Sequence, residues 1–219
     1  MLQSPIIDNF NRRTLRRTVN PATKVISVTD LKAYLKIDGT DEDTILGYLI
    51  DAATDLAEVY CRRAFISQTF KLTMDGFSGI AVDDLLGAGV YNLPRGNFGN
   101  ANFIELMRPP IVSITSITTY NTANTSAVFS SASYMLDING GRVCLNDGYA
   151  WPTALRNKAA VEIIYVAGYG STTADVPSGI RTAVMMQAAS MYECRGSADL
   201  VAAAQGLLDP FRLLDDLMA

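Results

Sequence analysis

Apolar and polar positions change their period twice along the chain. Ile45, Leu49, Ala52, Leu56 and Val59 recur at spacings of four, three, four and three, which predicts a helix with this stripe turned to a core. Asp41, Glu42 and Asp43 fall in its first turn and Arg62 and Arg63 at its end, placements that favour the helix dipole. Thr40, three residues before Asp43, resembles the start of a capping box. A shorter helix precedes it, capped by Thr29 and Asp30, with Leu31, Tyr34 and Leu35 on one face and Gly39 as its breaker.

From Ser67 the period drops towards two. SQTFKLTM, VYNL, NFIELM, IVSITSITTYN, SYMLDI, RVCLN and AVEIIYVAGY read as short strands separated by Gly, Asn, Pro and Ser. Asn139-Gly140-Gly141 predicts a hairpin, because these residues tolerate positive φ. A long Gly-rich excursion over residues 76–103 interrupts the strands. After Pro177 the helical period returns, with Ile180, Val184, Gln187, Ala188 and Met191 near one face and an expected end near Gly196. Asp199 to Gln205 reads as a further short turn of helix, ended by Gly206.

The expected architecture is α+β. An N-terminal helix pair and a C-terminal helix (25–66 and 176–206) form a helical core, with an antiparallel β-sandwich or barrel-like domain (67–175) inserted. Residues 1–24 form an arm. Residues 207–219 form a tail whose Leu207, Leu208, Phe211, Leu213, Leu214 and Leu217 are too apolar to stand idle in water.

Composition narrows the chemistry. At 219 residues and 49% hydrophobic the chain can bury a sizeable core, and no apolar run approaches the roughly 20 residues of a membrane span. In MLQSPIIDNFNRRTLRR the arginines follow the apolar patch, the reverse of a secretion signal, so synthesis in a cytoplasm is expected. The absence of histidine removes Ser-His-Asp and Cys-His catalysis and histidine metal sites. Cys61, Cys144 and Cys194 lie far apart and read as buried small hydrophobes. The acids around Gly39 fail the calcium-loop pattern in either register: counted from Asp38 the sixth residue is Asp43, and from Asp41 it is Leu46, where glycine is required. They read as capping and dipole residues. No enzyme, cofactor or metal is expected.

Charge is unevenly spread. Arg12, Arg13, Arg16, Arg17 and Lys24 stand against Asp8 alone in residues 1–24, while the whole chain carries −4. A basic arm on an acidic body suits phosphate or an acidic neighbouring subunit, with Arg12, Arg13, Arg16 and Arg17 as the contacts. The alternative function on this ground is a nucleic-acid binder acting through the arm. A carboxylate-dependent hydrolase with its site in the Gly-rich loop is a third reading.

Three blocks carry a resemblance: VTDLKAYLKIDGTDEDTILGYLIDAATDLAEVYCRRAFISQTF, then RPPIVSITSITTYN, then VEIIYVAGYGSTTADVPSGIRTAVMMQAASMYECRG with LLDPFR after it. In order and spacing, over about residues 25–214, they resemble the head–tail connector (head-completion adaptor) proteins of tailed bacteriophages. The resemblance implies a structural protein of the virion neck, made in the host cytoplasm. It implies self-assembly into a ring, usually a dodecamer, beneath the portal, with DNA passing through unread and the next neck or tail component below. It also implies that Leu207, Leu208, Pro210, Phe211, Arg212, Leu213 and Leu214 grip the portal protein.

Overall fold

The structure is a computed structural model that describes residues 13–77, 102–194 and 199–213. The expected strand VYNL, most of the Gly-rich excursion, Arg12 and Leu214 lie outside the described residues. Four helices are described: α1 (Val28–Leu35), α2 (Asp43–Cys61), α3 (Ser178–Glu193) and α4 (Ala202–Leu208). Eight strands form two antiparallel sheets: β1 (Arg13–Val19), β2 (Gln68–Met74), β3 (Phe103–Glu105), β4 (Ile111–Tyr120), β5 (Ser126–Val128), β6 (Tyr134–Asp137), β7 (Arg142–Leu145) and β8 (Val161–Ala167). The larger sheet has the order β1-β2-β8-β4-β5 and the smaller β3-β7-β6.

The fold is thus mixed α+β. The sheets share one apolar cluster, in which Phe70, Leu72, Ile117, Val161 and Ile163 of the larger meet Ile104 and Val143 of the smaller. β2 and β8 alternate strictly between buried and half-buried positions, as strands with one face on a core must. Both end strands of the larger sheet have an unpaired edge, so the described strands do not close into a barrel. β6 and β7 form the hairpin expected at Asn139-Gly140-Gly141, with Gly141 at φ 62° and the Gly140 N–H donating to Asp137 Oδ1.

A second apolar cluster joins the helices: Leu31 of α1, Leu46, Ile50, Ala53 and Ala57 of α2, Ile180 and Val184 of α3, and Leu208 of α4. The chain crosses between the clusters at residues 64–67 and 167–170. There the Ser67 N–H donates to the Gly170 carbonyl at 2.8 Å. Gly168 is required at this crossing: its φ is 144°, and a Cβ would lie 2.5 Å from the Ser67 nitrogen.

Several local expectations are corrected. Ser27, not Thr29, caps α1, in a reciprocal capping box with Asp30. α2 is preceded by Glu42 without a side-chain cap, and Asp43 instead pairs with Lys32 at 2.8 Å. α3 ends at Glu193, and α4 runs through Gly206 rather than stopping there. The basic segment 13–19 is not an arm but strand β1, paired in register with β2. Of the cysteines only Cys61 is buried; Cys144 is half-buried and Cys194 exposed. No described helix is long and apolar enough to cross a membrane.

Candidate functional site

The carboxyl end of α2 is where the parts of the molecule meet. Glu58 sits in an otherwise apolar turn and is only 2% exposed. Its Oε1 accepts from the Phe65 backbone N–H at 2.8 Å and from Gln68 Nε2 at 2.7 Å, and its Oε2 from Arg17 Nη2 at 2.9 Å. One carboxylate therefore ties the edge strand β1, the helix, and the start of β2. Burial pushes its pKa up from the usual carboxylate value, against the opposing pull of the Phe65 N–H and the Arg17 charge. Arg108, in the left-handed region at φ 63°, donates from Nη1 to the Glu58 carbonyl at 2.8 Å, satisfying an acceptor near the helix end.

The C-terminal segment is held at the same end. Leu208 is fully buried in the helical cluster, and Leu207 and Phe211 pack against it. The Leu213 N–H donates to the Cys61 carbonyl at 3.1 Å, and Arg63 Nε to the Phe211 carbonyl at 2.6 Å. Tyr60 donates its hydroxyl to Asp209, and the Arg212 guanidinium lies 5.0 Å from the centre of the Tyr60 ring. This corrects the picture of 207–214 as an uncommitted tail. Its first half is docked on its own molecule, with Leu208 fully buried in the helical cluster. Pro210 and Arg212 remain exposed, Leu213 is half-buried, and Leu214 lies outside the described residues.

The basic residues are also redistributed. Arg17 is committed internally to Glu58 and to Asp55, the latter at 3.1 Å, so it is not a free phosphate contact. Arg13 is half-buried at the start of β1, Arg16 is exposed, and Arg12 is outside the described residues. Among the described residues, Arg13, Arg16 and Arg17 do not form one free patch, because Arg17 is already paired within the chain.

The stripe expected to face the core is instead the outer face of α2. The buried apolar residues are Leu46, Ile50, Ala53 and Ala57, each one position on from the expected set, and Cys61, two positions on from Val59. Ile45, Tyr48 and Val59 are 55%, 70% and 61% exposed, Ala52 is exposed, and Leu49 and Leu56 are half-buried. The sequence carried this signal: α2 has apolar residues on two sides, and only one side can serve its own core. Glu58 was detectable in the same way, as a lone charge within LAEVYC. Among the described residues no group of three or more metal-ligating side chains comes together.

Residues 25–89, which contain α1, α2 and β2, match the family model of the phage gp6-like head-tail connector protein. A chain in the neck of an empty GTA particle computed with C6 symmetry is 20% identical, with a TM-score of 0.71 over 94% of this chain and 98% of that one. A chain in the virion of a native gene transfer agent (GTA) particle is 19% identical, with a TM-score of 0.69 over the same shares. A chain in the neck of a native GTA particle computed with C12 symmetry is 21% identical, with a TM-score of 0.60 over 92% of this chain and 98% of that one. No curated protein matches the chain. The resemblance to head–tail connector proteins is therefore borne out by the family match over residues 25–89, and nearly the whole chain shares the fold of chains from those neck and virion structures.

Proposed function

We propose that this chain is a structural adaptor of a phage-like particle. In this reading its copies form a ring beneath the portal, join head to tail, and leave a passage for DNA. The observation that carries the reading is the near-complete overlap with a neck chain, 94% of one and 98% of the other, together with the connector match at the N-terminal helices. Twelve subunits satisfy both the C6 and the C12 symmetry of the related necks. The role is assembly rather than catalysis, in keeping with the connector family. The chain is made in the host cytoplasm and ends in the virion.

Outside residues 1–24 the charge is strongly negative, which suits a wall past which a duplex slides without being held. Portal contact falls to Pro210 and Arg212, which the C-terminal latch leaves exposed, and to the residues that follow Leu213 in the sequence, beginning with Leu214. The latch directs this end from the tip of α2. Leu207, Leu208 and Phe211 support the contact by fixing its base, not by touching the partner.

Truncation after Leu213 tests the reading. The shortened chain keeps its melting temperature, since none of the described residues of the helical cluster is removed, and no longer co-purifies with the co-expressed portal protein. Full portal binding by the truncated chain overturns the C-terminal assignment.

A further inference from the structure

Much of the second apolar face of α2 is left open by the subunit itself. From Ile45 to Val59 it runs about 21 Å along the helix axis, with Ile45, Tyr48 and Val59 more than half exposed and Ala52 between them. The acids on its flank are already neutralised within the chain: Asp51 by Lys24 and Asp55 by Arg17. The face therefore offers an apolar stripe whose flanking acids at 51 and 55 already have partners within the chain, a poor match for nucleic acid and a good one for another apolar surface.

We infer that this outer face of α2 is the seam between neighbouring copies of the chain. The inference rests on the adaptor reading above and supplies the surface by which its ring closes. In the adaptor reading a neck with twelve-fold symmetry gives each copy two identical neighbours, and a second copy is the occupant that suits an apolar face repeated around the ring. A head-to-tail contact needs a different patch on the neighbouring copy. Exposed apolar side chains outside α2, such as Val112 of β4 and Val128 of the edge strand β5, at 47% and 72% exposed, are available for it. In the ring α2 is then covered on both apolar sides, as its composition demands.

Photo-cross-linking from position 48 in purified particles tests this. With Tyr48→p-benzoylphenylalanine, the expected product is an adduct of two copies of this chain, identified by mass spectrometry of the joined peptides. An adduct with a different virion protein overturns the inference and leaves the adaptor reading standing. So does the absence of any adduct when the chain is present in the particles. Absence of the chain from the particles removes the adaptor reading, and the inference with it.

A second measurement uses the double variant Ile45→Asp with Val59→Asp. Both side chains are exposed, so the melting temperature stays within about 2 °C of the parent. Copy–copy association read by sedimentation weakens by at least about tenfold, as the loss of a buried aliphatic contact requires. Unchanged association overturns the inference.

Discussion

Replacing Glu58 with alanine is the most informative single perturbation of the fold. The substitution removes the acceptor of three donors at once: the Phe65 N–H, Gln68 Nε2 and Arg17 Nη2. Phe65 and Gln68 are buried, so their donors are left without water, and the Arg17 guanidinium keeps only its longer, exposed contact to Asp55. Removing one partner of a buried ion pair costs about 3–5 kcal/mol. In a protein of this size that lowers the melting temperature by roughly 6–20 °C. Glu58→Gln keeps a carbonyl acceptor and loses only the charge, so it costs less. The two variants also separate through pH. The folded protein raises the pKa of Glu58 above its ordinary 4.5 through burial. A group raised in this way contributes stability that is fully present below the unfolded value and is lost as pH rises through the folded one. The stability difference between the parent and Glu58→Gln therefore shrinks as pH increases from about 4.5 and levels off above the folded pKa. Denaturant unfolding followed by far-ultraviolet circular dichroism across that range reads both effects. A cost for Glu58→Ala below about 1 kcal/mol refutes the assignment of Glu58 as the tie between strand, helix and sheet, and a parent-to-Gln difference that does not shrink with rising pH refutes the upward push of its pKa by burial.

The remaining predictions concern the other places where the chain is closely packed. Leu208→Ala empties a fully buried position and costs about 2–5 kcal/mol by denaturant unfolding, whereas a residue on a free tail costs almost nothing; the measurement separates a docked segment from a loose one. Gly168→Ala forces a side chain into the Ser67 backbone at a positive φ and destabilises by more than about 1 kcal/mol, read by thermal melting. In the folded protein a thiol reagent labels the exposed Cys194 readily. It leaves Cys61, buried and with its pKa pushed up to about 11, unlabelled until denaturant is added.

The pattern of apolar positions was enough to find most described elements, because a helix or strand that feeds a core must repeat its apolar residues at its own period. The strands around the Asn139-Gly140-Gly141 hairpin, the pair β2 and β8, and the inward face of α3 at Ile180, Val184, Gln187 and Ala188 were all legible in this way. β1 was not. RTLRRTV carries the charges of an edge strand, and it pairs with a strand far away in sequence, Leu15 opposite Leu72, while Arg17 reaches Glu58 across 41 positions. The face of α2 was misassigned because two stripes offset by one residue both satisfy the helical period. Which one turns inward is decided by α3 and α4, not by α2 itself. The C-terminal leucines show the same limit: their apolar character was plain, but the sequence does not say that the space awaiting Leu208 lies in the same molecule.

Reconstruction of the neck of particles that carry this chain, without imposed symmetry, tests the adaptor account most directly. The account predicts a closed ring of this fold between portal and tail, each subunit's α2 covered by its neighbour and its carboxyl end pointing to the portal. A neck built without this chain, or subunits that stand apart with the outer face of α2 open to solvent, contradicts it.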